Sequence, residues 1–127
     1  MKKTSEKSIN RWQSFAHALK GLRVVFNEPN AKIHFVIAFL TIALGLFFNI
    51  TREEWVEIFF AIALVIGSEA LNTAIEKVVD LVSPDWNETA KQAKDAAAAS
   101  VLIFSLCAFA VGVAVFFPKI QNMVVGI

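Results

Sequence analysis

Four polar side chains fall on one stripe of an otherwise apolar segment, and their types could carry out proton and phosphate chemistry. They are Glu69, Asn72, Glu76 and Asp80, which follow one another at intervals of three or four residues. At about 100° per residue of an α-helix, this spacing places all four on one narrow face. A carboxylate on such a face can accept a proton from an alcohol, and paired carboxylates can hold Mg²⁺ beside phosphate oxygens.

The segment that carries this stripe belongs to a chain with the composition of a membrane protein. Of its 127 residues, 57% are hydrophobic and 18% are charged, and the mean hydropathy is +0.60. A soluble domain of this length cannot bury so much apolar surface, because small domains bury a smaller fraction of their surface. The single cysteine, Cys107, excludes an internal disulfide, and a net charge of +1 gives no reason to expect nucleic acid as a partner. The class that remains is a small integral membrane protein.

Three apolar stretches are long enough to cross a bilayer, whose core of about 30 Å needs roughly 20 helical residues. We expect transmembrane helices at about 30–50, 55–82 and 95–117, preceded by a surface helix at about 9–27, in a single domain over 1–127. The surface helix is basic and amphipathic. The predicted fold class is therefore an all-α integral membrane protein, with an N-terminal amphipathic surface helix and three transmembrane helices per subunit.

The placement of lysine and arginine predicts how this multi-pass chain lies in the plasma (inner) membrane. Most of the twelve basic residues precede the first transmembrane segment, whereas the loop between the first two segments has only Arg52 and the C-terminal tail only Lys119. We therefore expect the N-terminus and the second loop in the cytoplasm, and the C-terminus outside.

Within this topology Glu69 is expected inside the membrane. Counted from Trp55 at the outer boundary, Glu69 lies about 21 Å along the helix and Glu76 about 32 Å. A charged side chain near the membrane centre costs about 2.5–3.5 kcal/mol on insertion scales, so its presence usually indicates function. The topology also brings further charged residues to the level of Glu76, namely Glu28, Asp80, Lys94 and Asp95.

Two classes of function fit this arrangement. The first is an enzyme that transfers phosphate to a lipid alcohol, because carboxylates beside a lysine suit Mg²⁺ and phosphate. The second is a small transporter or proton-relay subunit, because intramembrane carboxylates also suit ion passage. The acidic residues cluster at one side of the membrane and do not continue along the first and third segments, which favours the enzyme. The chain lacks a Gly-rich phosphate loop, but phosphoryl transfer needs mainly positioning and charge neutralisation.

Several of these residues also have a purely structural interpretation. The polar stripe could join helices through hydrogen bonds within the membrane. Asp80 could form an ion pair with Lys77 or Lys94, and Asp95 could cap the N-terminus of the third transmembrane helix.

The stripe has a counterpart in a known family. The run EALNTAIEKVVD, from Glu69 to Asp80, resembles the signature of the prokaryotic diacylglycerol kinase family. Lys94 and Asp95, followed by small residues, resemble the family's next block, and the surface helix with Glu28 resembles its N-terminal part. The resemblance covers nearly the whole chain. It implies a homotrimer whose active sites are shared between neighbouring subunits, with ATP and Mg²⁺ as phosphoryl donor and a membrane lipid alcohol as acceptor.

The resemblance also implies roles for individual residues. Glu69 would be the general base, Asn72 would support it in the catalytic site, and Glu28 and Glu76 would hold Mg²⁺. The residues expected to bind the nucleotide are His17, Glu28, Glu76, Asp85, Trp86, Asn87, Lys94 and Asp95.

The acceptor is indicated by the start of the first transmembrane segment. The run EPNAKIH, from Glu28 to His34, is similar to the Glu-x-Asn-x-x-x-His arrangement of the undecaprenol kinase branch of the family. The diacylglycerol branch tends to carry Ala and Glu at the positions of Asn30 and His34. This favours undecaprenol as acceptor and undecaprenyl phosphate as product, with diacylglycerol as the alternative. Asn30 and His34 would line the lipid side of the site beside Glu69.

Overall fold

The computed structural model describes residues 10–126, which form four α-helices joined by short loops. Their bounds are Arg11–Asn27 for α1, Pro29–Phe47 for α2, Arg52–Val82 for α3 and Glu88–Val125 for α4. Helices α2, α3 and α4 are long and apolar enough to cross a membrane, which confirms the predicted fold class. The expected start of the surface helix at residue 9 and the lysines at positions 2, 3 and 7 lie outside the described residues.

Local capping signals set where the first helices begin. Glu28 is extended between α1 and α2, and Pro29 occupies the first turn of α2, where its missing N–H leaves no hydrogen bond unmade. Thr51 caps α3 by accepting a hydrogen bond from the backbone N–H of Glu54, whose carboxylate accepts one from the Thr51 N–H in return. Asn49, just before this cap, has a φ of 48°, a left-handed conformation that Asn tolerates better than most residues.

Helix α4 extends beyond its apolar segment at both ends. It begins at Glu88, where the Asn87 side chain caps it by accepting a hydrogen bond from a backbone N–H of the first turn. Asp95 therefore lies inside the helix, and the interpretation of Asp95 as its N-cap is wrong. The polar extension is supported by an ion pair between Lys91 and Asp95, one turn apart, with an N–O distance of 2.8 Å.

Helix α3 is the centre of the fold and packs against α1, α2 and α4. Far from Glu69, residues Ile50, Ile58, Val115 and Phe116 form a buried apolar cluster. At the same end of the molecule, the Lys119 ammonium lies 3.0 Å from the Glu54 carboxylate and joins α4 to α3. These contacts fix the ends of α3 and α4 relative to each other.

The outer faces of the helices are strongly apolar. Large side chains such as Phe39, Leu81 and Phe109 are more than two-thirds exposed in the single chain, and α1 exposes Trp12 and Phe15. Apolar patches of this extent are rare on water-soluble monomers. They are what a bilayer, or other subunits within it, would cover.

Candidate active site

Glu69 lies in the middle of α3 and is 3% exposed. Its side chain reaches α2, where the His34 Nε2 lies 3.1 Å from the Glu69 Oε1. The imidazole is itself one-fifth exposed, so it forms the boundary between the buried carboxylate and the outside of the helix pair. Asn30 lies one turn before His34 on α2 and is exposed. Of the two residues expected on the lipid side, His34 is thus the one that reaches Glu69.

Asn72 lies one turn from Glu69 on α3 and is also buried. Its amide Nδ2 donates a hydrogen bond of 3.1 Å to the Glu76 carboxylate. Its Oδ1 is buried and has no hydrogen-bond partner among the described residues. Buried polar atoms without a partner are uncommon in folded proteins, so this oxygen is a candidate for contact with a ligand. In the structure Asn72 orients Glu76 rather than Glu69.

Of the charged residues expected at one level, Glu28, Glu76, Asp80 and Lys94 lie together around α3, whereas Asp95 pairs with Lys91 instead. We call this group the charged layer, and it consists of Glu28, Glu76, Lys77, Asp80 and Lys94. The Lys77 Nζ lies 3.3 Å from the Glu28 Oε1, which ties the junction of α1 and α2 to α3. The Lys94 ammonium forms an ion pair with Asp80, which ties α4 to the same part of α3. Three helices therefore meet through charged side chains beside Asn72.

The partners within the charged layer differ in part from what the spacing suggested. Of the two lysines considered for Asp80, Lys94 is its partner, and Lys77 binds Glu28 instead. The pair between Lys77 and Glu28 forms because the chain turns between α1 and α2 and places Glu28 over α3. Both side chains are substantially exposed, so each such pair contributes only about 0.2–1 kcal/mol to stability.

Lys94 carries a well-defined positive charge. It precedes the apolar segment of α4 and lies outside the membrane-spanning part of that helix. The hydrogen bond to the Asp80 carboxylate raises the pKa of the Lys94 ammonium above its ordinary value, and the charge of Glu76 acts in the same direction. Lys94 is therefore protonated at neutral pH and can attract a phosphate oxygen as a point charge.

The loop between α3 and α4 forms a cavity beside Lys94. A cavity of about 340 Å³ is lined there by Asp85, Trp86 and Asn87 together with Asp80 and Lys94. Three residues expected to bind nucleotide thus share one cavity with a protonated lysine.

Two other expected nucleotide ligands, Asp95 and His17, belong neither to the cavity lining nor to the charged layer. Asp95 is exposed, although its partner Lys91 does line the cavity. His17 lies exposed on α1, and within residues 10–126 no hydrogen bond or ion pair links it to the charged layer.

The donor set suits a metal ion that is bound partly by phosphate. Among the described residues, no three acidic, histidine or cysteine side chains meet closely enough to hold a metal alone. Mg²⁺, however, commonly takes one or two carboxylates and completes its shell with water and substrate phosphates. Glu76, with the unpartnered Asn72 Oδ1 beside it and Glu28 in the same layer, fits that chemistry.

The sequence did not indicate the partners of two lysines, Lys77, which was considered only beside Asp80, and Lys91. The pairing of Lys91 with Asp95 could have been found from their spacing of four residues on a helix. The pairing of Lys77 with Glu28 joins positions far apart in the chain and depends on how α1 and α2 pack on α3.

Comparison with known proteins shows which family the chain belongs to. The family model described as prokaryotic diacylglycerol kinase matches residues 16–116. An undecaprenol kinase of Bacillus subtilis (strain 168) is 35% identical over 120 residues, which cover 93% of this chain and 98% of that protein. A diacylglycerol kinase of Synechocystis is 32% identical over 91% of this chain and 71% of that protein.

A further relative extends the comparison within the family. A diacylglycerol kinase of Escherichia coli (strain K12) is 32% identical over 68% of this chain and 72% of that protein. The match of the family model spans the Glu69 stripe, the charged layer and the loop cavity. The chain belongs to the prokaryotic diacylglycerol kinase family.

Proposed function

We propose that this protein transfers the terminal phosphoryl group of ATP to the hydroxyl of a membrane lipid alcohol, and that its acceptor is undecaprenol. The observation that carries the proposal is the buried Glu69 carboxylate in contact with His34, about two helical turns from the charged layer. This arrangement offers a proton acceptor inside the membrane and phosphate-binding groups at its edge. The relatives support a lipid alcohol as acceptor, since one is named an undecaprenol kinase and others diacylglycerol kinases.

In the proposed reaction Glu69 acts as general base. It accepts the proton of the lipid hydroxyl as the hydroxyl oxygen forms a bond to the terminal phosphorus of ATP. The bond between that phosphorus and the bridging oxygen of ADP breaks, so the products are the lipid monophosphate and ADP. A positioned base of this kind typically contributes about 10²–10⁴-fold to the rate. His34 holds the carboxylate in place through the 3.1 Å contact.

The charged layer would bind the donor. Glu28 and Glu76 would hold Mg²⁺, which when bound neutralises phosphate charge. Lys94 would attract a phosphate oxygen, with Asp85, Trp86 and Asn87 beside it in the loop cavity. Asn72 orients Glu76. His17 and Asp95, which lie apart from this group in one chain, would reach a nucleotide at a site shared between the subunits of a homotrimer.

The undecaprenol assignment rests on Asn30 and His34. His34 contacts Glu69 and lines the apolar cleft between α2, α3 and α4, so it would meet a lipid hydroxyl bound beside the base. In the diacylglycerol branch the position of His34 tends to carry Glu. Diacylglycerol is the second candidate acceptor, favoured by the names of several relatives.

The test uses purified protein in detergent with MgATP, offered undecaprenol and diacylglycerol in parallel, with phosphate followed on each lipid. We expect phosphate mainly on undecaprenol. Phosphate mainly on diacylglycerol would overturn the acceptor while keeping the reaction. Phosphate on neither lipid, with folded oligomer present, would contradict the kinase and favour a proton-relay or transport function.

A further inference from the structure

An apolar cleft of about 540 Å³ opens between α2, α3 and α4. It begins at His34 and extends away from the charged layer as far as Ile120 on α4. Its polar side chains are His34, Thr41 and Ser105, and the rest of the lining is apolar. The hydroxyl of Thr41 donates a hydrogen bond of 2.8 Å to the backbone carbonyl of Ile37, whereas the buried Ser105 hydroxyl has no partner among the described residues. The cleft is therefore mainly apolar, with His34 at the end that meets Glu69.

Small residues on α4 keep this cleft open. Gly112 lines it, and a Cβ atom built on Gly112 would meet no atom within 4 Å. Ala108 and Ser105, one and two turns earlier on the same face, are the other small residues of α4 in the lining. Gly21 and Gly67 also have open space beside them, whereas a Cβ on Gly45 would lie 2.7 Å from the Trp55 ring. What distinguishes Gly112 from the other two open glycines is its position in the lining of the cleft.

We propose that this cleft binds the first part of the isoprenoid tail of the lipid alcohol, and that Gly112 determines whether a long, branched tail can enter. The inference rests on the proposed function. The cleft is continuous with the site of the proposed base, because His34 both contacts Glu69 and lines the cleft. A hydroxyl held at Glu69 has its tail at the mouth of the cleft.

The dimensions and polarity match an amphiphile with one polar end. From His34 to Leu44, the lining residues of α2 span about 15 Å. A volume of about 540 Å³ lies in the range of small-molecule sites, about 300–1,000 Å³. The cleft can therefore hold the start of a long tail, while the remainder lies in the bilayer.

The first test compares two substitutions that enlarge small residues of α4. Gly112→Leu fills the cleft, whereas Ala114→Leu places the same side chain at an exposed position outside the lining. The acceptors are undecaprenol and the short prenol geraniol, whose tail is too short to extend along the whole cleft, which measures about 15 Å on its α2 side. We expect Gly112→Leu to lower kcat/KM for undecaprenol about tenfold more than for geraniol, which corresponds to about 1.4 kcal/mol of lost tail contact.

Three outcomes of this comparison would overturn the tail site. One is an equal effect of Gly112→Leu on both acceptors. Another is an equal effect of the two substitutions on undecaprenol. The third is loss of the oligomer in Gly112→Leu alone, which would make the cleft a contact between subunits. If the unchanged protein phosphorylates neither lipid, the proposed function fails, which is a different result from any of these.

The second test needs neither a cleft substitution nor phosphotransfer. A polyprenol with a diazirine in the early part of its tail is photolysed with the unchanged protein in detergent, and the adducts are mapped by mass spectrometry. We expect adducts on Ile62, Ala108 or Gly112, which line the cleft and are not on the exposed outer face, and their loss when excess undecaprenol is added. Adducts confined to Leu106 or Ala110, on the exposed face of α4, would overturn the proposal.

Discussion

The contact between Glu69 and His34 joins a buried carboxylate on α3 to the edge of the lipid-facing cleft. Burying a carboxylate within a membrane protein is costly unless it has a partner. The His34 imidazole supplies a polar contact without closing the site, because it remains one-fifth exposed. A carboxylate that is held in place yet reachable from the lipid has the properties that a general base for a lipid hydroxyl requires.

Replacing Glu69 with Gln keeps the size of the side chain and removes its ability to accept the proton. We expect Glu69→Gln to lower phosphotransfer by about 10²–10⁴-fold while the oligomer stays intact. The rate would be measured on purified protein, with size-exclusion chromatography to follow the oligomer. Glu57→Gln, at an exposed position on α3, is the matched control and should keep full activity. Full activity of Glu69→Gln would remove it as the base.

His34 is expected to act by positioning Glu69. His34→Ala should lower kcat for undecaprenol by about 10–100-fold, because a hydrogen bond to a charged group contributes about 1.5–3 kcal/mol. His34→Gln, whose amide can still donate to the carboxylate, should recover part of that loss. The measurement is kcat and KM for undecaprenol. A change confined to the KM of undecaprenol would show instead that His34 only recognises the lipid.

At the scale of the helices, the charged layer depends on where each helix begins and ends. Glu28 reaches α3 because α1 stops at Asn27 and α2 starts with Pro29. Lys94 reaches Asp80 because α4 begins at Glu88, before its apolar segment. The ends of the helices, more than their apolar middles, therefore assemble the charged layer, which we propose binds phosphate.

The proposal that Glu28 and Glu76 hold Mg²⁺ can be tested directly. We expect Glu28→Ala and Glu76→Ala each to raise the Mg²⁺ concentration for half-maximal activity by about tenfold or more, as typically follows loss of groups that hold a metal. Glu53→Ala, in the first turn of α3 at the other end of that helix, is the control. Binding of Mn²⁺, followed by electron paramagnetic resonance, checks the same variants without turnover. An unchanged Mg²⁺ titration in both variants would contradict a metal role.

The features that the sequence predicted are those controlled by local chemistry. The spacing of Glu69, Asn72 and Glu76 places them on one face of α3, as the stripe in the sequence indicated. The sequence did not predict the early start of α4, because its polar first turns give no apolar signal. Nor could it predict which lysine faces which acid in the charged layer, since that depends on the packing of helices distant in sequence.

At the scale of the whole molecule, the structure has two chemically different ends. The charged layer lies at one end of the three apolar helices, and the contact between Glu54 and Lys119 lies at the other. Glu69 and the cleft lie between them. A donor that is soluble in water and an acceptor that is soluble in lipid would thus approach one carboxylate from two directions.

The proposed reaction requires the charged layer to face the compartment that holds ATP, and the distribution of basic residues predicts the same orientation. It can be tested by labelling single cysteines after Cys107→Ser, with Thr89→Cys near the charged layer and Gln121→Cys near the other end. With a membrane-impermeant maleimide on intact cells, we expect labelling at position 121, and at position 89 only after permeabilisation. Both positions are exposed in the single chain, so access depends on the side of the membrane. The reverse pattern would place the charged layer outside, where ATP is scarce, and would contradict the kinase mechanism as well as the orientation.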